Sequence, residues 1–190
     1  MSLSEKEKKY LLGVARNTLE YRFKHEKKFQ VQKKDLPNEK LAGHKATFVS
    51  LSKGGELCGC IGNILPKKPL YQDVVDNSLL AAFSDPRFKP VQEDELSLIA
   101  IEISVLSKPK AYMYQTTKDL LQKIKAGEHG IVLQQGFNQA TFLPQVWEDI
   151  PNIENFLSAL AKKACLEELA WQKPGTEIFY YTVDRFAETN

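Results

Sequence analysis

Lys45-Ala46-Thr47-Phe48-Val49-Ser50-Leu51 and Glu56-Leu57-Cys58-Gly59-Cys60-Ile61, joined by Ser52-Lys53-Gly54-Gly55, decide the fold. The first run is rich in β-formers, the join carries paired glycines, and the second run returns, which is the pattern of a β-hairpin. A hairpin makes its strands antiparallel, so the sheet that grows from it is expected to be largely antiparallel. Gly59 and Gly62 flank Cys60 and point to crowded backbone or unusual dihedrals beside that thiol.

Outward from the hairpin, helices and strands alternate. Ser4 with Glu7 forms a capping box, and Leu11, Val14, Ala15, Thr18, Leu19 and Arg22 then follow helical spacing. The polar stretch from Glu26 to Gly43 reads as a long loop. Pro66 and Pro69 precede a helix from about Leu70 to Ser84, which Asp85-Pro86 stops. Leu98 to Val105 is a strand with Ile99, Ile101, Ile103 and Val105 on one face and Ala100, Glu102 and Ser104 on the other. A short helix is expected near Thr117–Ala126, followed by strands Ile131–Leu133 and Ala140–Leu143 around the turn Gln135-Gly136-Phe137-Asn138. Asn152 caps a helix whose apolar set is Phe156, Leu157, Leu160, Ala161 and Ala164, and Glu177 to Val183 forms the last strand. The expected class is α+β, a mainly antiparallel sheet with packed helices. Residues 1–190 hold no linker that separates independent domains.

Composition bounds the setting. A chain of 190 residues, 43% hydrophobic and 26% charged, has the make-up of an ordinary globular protein with room for one filled core. No apolar stretch reaches the length of a bilayer span. The start, Met1 to Glu7, runs into a charged helix without an apolar signal core, so no secretion is expected. Three cysteines, an odd number, argue against a disulfide framework and for a reducing, cytoplasmic setting. Residues 1–45 carry twelve Lys and Arg against six acids. A nucleic-acid-facing domain is the reading that this basic quarter invites, but no binding motif accompanies the charge, and a solvated helix face accounts for it.

Two phrases are too specific for generic core: Gly55-Glu56-Leu57-Cys58-Gly59-Cys60-Ile61-Gly62 and Ala82-Phe83-Ser84-Asp85-Pro86-Arg87-Phe88. A thiol needs a base, a cation or an amide-rich loop to react, and glycines on both sides let amides approach Cys60. Cys60 is the candidate nucleophile, His129 the candidate base and Glu102 the group that orients the imidazole. Glu102 is the lone charge in its strand, and a salt bridge to Arg87 also accounts for it. Arg87 is a candidate anion contact, and Gly59, Gly62 and Gln145 are further candidate ligand contacts. A metal held by Cys58, Cys60, His129 and His44 lacks the usual ligand spacing, so neither metal nor cofactor is expected. Cys165, on an apolar helix, is most simply core.

These phrases, followed in order by Glu102-Ile103-Ser104-Val105-Leu106, Gly127-Glu128-His129-Gly130, Phe142-Leu143-Pro144-Gln145-Val146-Trp147 and Lys163-Ala164-Cys165-Leu166, resemble the AMMECR family. Its typical members read LRGCIG, a DPRF-like box, EISVL, a G-x-HG turn, LPQV and KAGL. The resemblance runs from the first helix to Phe186-Ala187-Glu188. It implies an α+β fold with a larger and a smaller subdomain. It also implies Memo-like and radical-SAM partner proteins, the AmmeMemoRadiSam set, and no settled reaction. Cys58 stands where the family usually has arginine, and Cys165 where it usually has glycine. Losing that arginine is expected to remove an anion donor beside Cys60. Two readings of the Cys60 loop stay open: an enzyme or enzyme subunit acting on a small molecule or a partner, and a non-catalytic binding or scaffold module.

Overall fold

The computed structural model describes residues 3–188; Met1 and Ser2, at the head of the stretch read above, lie outside them. Along the chain run α1 (Glu5–His25), β1 (Ala46–Lys53), β2 (Glu56–Gly62), α2 (Leu70–Phe83), β3 (Ile99–Leu106), β4 (Lys110–Ala111), α3 (Thr117–Lys123), β5 (Gly130–Gln135), β6 (Asn138–Phe142), α4 (Val146–Asp149), α5 (Ile153–Lys163), β7 (Glu177–Tyr181) and β8 (Val183–Ala187). The class is α+β. Two units divide the chain: one takes residues up to Leu106 and resumes at Asp184, and the other is Ser107–Val183. No helix among the described residues is long and apolar enough to cross a membrane.

In the first unit the sheet order is β2-β1-β3-β8, with β1 antiparallel to both β2 and β3. Val49, Leu51, Ile101 and Ile103 are buried on the face that packs with Leu11, Val14, Ala15 and Leu19 of α1 and Val74 and Val75 of α2. The capping box forms, since Ser4 Oγ accepts from Glu7 N and the Glu7 carboxylate accepts from Ser4 N at 2.6 Å. The same carboxylate accepts from Asn38 Nδ2 and Lys40 Nζ. These bonds draw in the polar segment after α1, which holds two 3-10 turns, Lys33–Asp35 and Glu39–Ala42. They also hold the Glu7 carboxyl down at about 2.

A polar network fastens α2 to β1. Asp73 accepts from Thr47 N and Thr47 Oγ1, and Asn77 Nδ2 donates to Thr47 O and to Asp73. Asn63 Nδ2 adds a bond to Asp73. Asp73, Thr47 and Asn77 are buried. Burial pushes the Asp73 carboxyl up, while the bonds from Thr47 and Asn63 oppose the shift.

The hairpin turn is tighter than the sequence suggests. The strands run on to Lys53 and from Glu56, leaving Gly54 and Gly55 at φ 60° and 86°, a two-residue turn with left-handed backbone at both positions. Between Leu51 and Ser52 the register shifts: Leu51 pairs with Gly59, but Ser52 pairs with Leu57. Cys58 is the extra residue of a β-bulge.

The second unit has its own sheet, ordered β4-β7-β5-β6. Its core joins Leu120 and Ile124 to Trp147, to Phe156, Leu157, Leu160 and Ala161 of α5, and to Trp171. Trp147 stacks on Phe156 at 3.5 Å between ring centroids. The run read as one last strand is broken at Thr182 into β7 and β8, which belong to different sheets.

Cys165 is not core. It is exposed and lies in the left-handed region at φ 58°. Its N–H donates to Lys162 O and the N–H of Leu166 donates to Ala161 O, the paired bonds of a Schellman helix end. Helical spacing carried past Lys163 misplaced it, because the helix has already ended there. A β-carbon in that conformation costs about 1 kcal/mol, which explains why glycine suits the position. Cys165→Gly is expected to raise stability by about 1 kcal/mol, read as a melting temperature higher by roughly 2–4 °C.

Candidate functional site

The two specific phrases of the sequence meet in the first unit. β2 is an edge strand, so one side of it lacks a neighbouring strand to pair with. Cys60 turns its backbone groups to that side. Cys60 N donates to Asp85 Oδ2 at 2.9 Å, and Arg87 Nη2 donates to Cys60 O at 2.8 Å. Asp85 and Arg87 thereby act in place of a strand. Asp85 also accepts from Arg87 Nε at 2.9 Å, Arg87 Nη2 at 2.7 Å and Arg87 N at 3.1 Å. Four donors fill the acceptor sites of one carboxylate. Asp85 is buried, and the Arg87 guanidinium beside it, with the Cys60 amide, holds its carboxyl down at about 2 despite that burial.

With its amide and carbonyl directed away from β1, Cys60 faces Ser50 as a non-hydrogen-bonded pair, the kind whose side chains stand closest. Ser50 Oγ donates to Cys60 Sγ at 3.2 Å. Ser50 is also in register with Glu102 on β3, and Glu102 Oε2 accepts from Arg185 Nε at 2.7 Å. Cys60, Ser50, Glu102 and Arg185 therefore form a row across all four strands. The row lies on the face away from α1 and α2, since Val49, Leu51 and Ile101 occupy the other. The glycines are explained by crowding and not by dihedrals. A β-carbon on Gly59 would stand 2.2 Å from Ala81 O, and one on Gly62 would stand 2.3 Å from the Phe48 ring.

Several expectations change. Glu102 pairs with Arg185, not Arg87, because Arg87 is engaged by Asp85 and by the Cys60 carbonyl. Position 58, thought to sit beside Cys60, is turned by the bulge toward the helix-side core. It lines a cleft of about 220 Å³ with Phe88, Val91 and Glu95. Burial pushes the Cys58 thiol up, with Glu95 adding to it. Asp85-Pro86-Arg87-Phe88 does more than follow a helix end, since it also completes the edge of β2.

His129 and Gln145 belong to the second unit. His129 is buried and engaged by groups of that unit, its Nδ1 lying 2.5 Å from Tyr112 Oη. The carbonyl of Gln145 accepts from Glu148 N at the start of α4. Gly130, next to His129, leaves room for the Tyr181 ring, which a β-carbon there would meet at 2.4 Å. His25 is the last residue of α1, and His44 makes an isolated bridge to Pro69. Among the described residues no group of three or more His, Cys, Asp or Glu is placed to hold a metal.

Ser50 and Arg185 were missed in the sequence. Neither residue type carries a signal by itself, and strand register alone joins them to Cys60 and Glu102. Asp85 lay inside a phrase already singled out, but its bond to Cys60 N spans 25 residues and has no sequence signature.

The AMMECR1 family model matches residues 12–186. A protein of Methanopyrus kandleri is 34% identical over 194 residues, covering 98% of this chain and 90% of that protein. One of Saccharolobus solfataricus is 36% identical over 98% of this chain and 84% of its own length. The crystal structure of an uncharacterized protein from Pyrococcus horikoshii superposes with a TM-score of 0.92 at 28% identity, covering 99% of this chain and 94% of that one.

The depressed Asp85 carboxyl sets a pH dependence. Its folded-state pKa lies below its ordinary one, so the stability that it contributes is complete above the ordinary carboxylate range. That contribution is lost as pH falls toward about 2. Asp85→Asn is expected to lower unfolding free energy at pH 7 by about 2 kcal/mol and to flatten the acid limb relative to the parent. Urea midpoints between pH 7 and pH 2.5 check both; Glu7 titrates in the same range in both proteins, so the difference between the curves isolates Asp85.

Proposed function

The chain belongs to the AMMECR1 family, and from that premise we propose that Cys60 is the nucleophile of a thiol-centred site on the face of the first sheet away from α1 and α2. The observation that carries this reading is the Ser50 hydroxyl donating to Cys60 Sγ at 3.2 Å while both backbone groups of Cys60 are clamped by Asp85 and Arg87. A hydroxyl aimed at sulfur stabilises negative charge as it develops there, and a clamped backbone keeps the sulfur from drifting. The strand places Glu102 and Arg185 along the same row, a carboxylate and a cation that can position a polar substrate.

The substrate is an electrophile, either a small molecule or a group on a partner protein. The simplest balanced step is addition to a carbonyl. The Sγ–C bond forms, the π pair moves to oxygen, and the thiol proton follows it. Memo-like and radical-SAM proteins are the partners in whose company the chain would act as an enzyme or enzyme subunit. Cys58 takes no part in this reading, because its half-buried thiol lies on the other side of the strand.

The exposed Cys165 provides an internal comparison. In Cys58→Ala protein, iodoacetamide labelling at pH 7 followed by peptide mass spectrometry is expected to modify Cys60 in the folded state at a rate matching or exceeding that of Cys165. Ser50→Ala is expected to slow Cys60 several-fold and leave Cys165 unchanged. Cys60→Ser is expected to keep the parent's melting temperature. Labelling of Cys60 only at urea concentrations that unfold the protein would end the nucleophile reading and leave a non-catalytic binding module.

A further inference from the structure

The second unit holds a buried imidazole whose two nitrogens are treated differently. His129 is 6% exposed. Its Nδ1 lies 2.5 Å from the Tyr112 hydroxyl and 3.2 Å from the Lys125 backbone nitrogen. A backbone amide can only donate, so Nδ1 presents its lone pair, and the Tyr112 hydroxyl donates to it as well. In the neutral ring the proton is then on Nε2. Burial holds the His129 pKa below the ordinary histidine value, which keeps the ring neutral at pH 7.

The chain fixes this ring firmly. Trp147 Nε1 donates to His129 O at 2.7 Å, and His129 N donates to Lys125 O at 3.0 Å. The Tyr180 ring lies against the imidazole with centroids 4.6 Å apart, and Tyr112 stands at 5.9 Å. Nε2 bonds to no group among the described residues. Nε2 is not one of the fully buried atoms left without a partner, so it reaches the surface of the unit, where an oxygen from outside the chain can accept from it. The fold uses only the acceptor nitrogen of the ring and holds the donor nitrogen in one orientation.

The geometry points to His129 as a ligand-binding residue whose Nε2–H donates to an oxygen of a small molecule (a carbonyl, carboxylate or phosphate), with the Tyr180 ring forming the wall beside it. The role is that of a fixed donor and not of a base. A neutral ring with Nδ1 already accepting and Nε2 protonated has no free lone pair with which to take a proton. The inference stands on the second unit alone and does not rest on the reactivity of Cys60.

Long-range 1H–15N NMR of histidine-labelled protein tests it directly, because His25, His44 and His129 are the three histidines to resolve. His129 is expected in the Nε2–H tautomer at pH 7. Titrations with N-methylacetamide, acetate and inorganic phosphate separate neutral carbonyl, carboxylate and phosphate sources. At least one is expected to shift the His129 ring signals saturably, while those of the exposed His25 drift without saturation. Finding the Nδ1–H tautomer or a protonated ring overturns the proposal. So does a His129 response to all three probes no different from that of His25, which would mean that water alone meets the Nε2–H. These results are independent of the labelling rate of Cys60, so either reading can fail alone.

Discussion

A single carboxylate holds the strand that carries the family's most specific phrase. Asp85 accepts the amide of Cys60 and three N–H groups of Arg87, and Arg87 returns a bond to the Cys60 carbonyl. An edge strand ordinarily leaves such groups to water or to another chain. Here the residues just beyond α2 complete the edge at the position of the thiol. That fixes where the amide and carbonyl of Cys60 point, and so which face of the sheet receives its side chain.

Two further carboxylates work in the same manner within the first unit. Glu7 gathers Ser4, Asn38 and Lys40, and so ties the polar segment after α1 back to the start of that helix. Asp73 gathers Thr47, Asn63 and Asn77, joining α2 to β1 and to the residue that follows β2. Buried acids of this kind add little net stability over well-packed apolar groups, but they impose one arrangement, since a misplaced chain would leave them unsatisfied. The segments they fix are those that the apolar core does not: a loop, a strand end and a strand edge.

The two departures from the family pattern have separate physical meanings. At position 165 glycine would relieve a left-handed backbone, and cysteine accepts the strain. At position 58 the bulge turns the side chain to the core side, where a cysteine fits in a small cleft beside Phe88 and Val91. The guanidinium beside Cys60 is that of Arg87, from the other specific phrase, and it is bound by Asp85 and by the Cys60 carbonyl.

Much of the fold was legible in the sequence. The capping box, the buried stripe of α1, the alternation of β3, the proline-led start of α2 and the Asn152 cap of α5 are local, and local pattern carries them. The division of the final strand was not legible, because β7 and β8 are nearly continuous in sequence and differ only in the sheet they join.

What sequence alone could not determine is the face on which Cys60 lies. Counting back from the glycine turn in a regular hairpin pairs Cys60 with Val49, a core residue, and buries the thiol against the helices. The extra residue at Cys58 moves the register by one and pairs Cys60 with Ser50 on the opposite face. Because side chains alternate with period two, one inserted residue reverses every residue beyond it. In this register Gly59 meets the backbone of α2 at Ala81, where no β-carbon fits. The sequence determined that a hairpin with a glycine-flanked thiol would form; the approach of α2 to β2, a tertiary contact, decided which way the thiol faces.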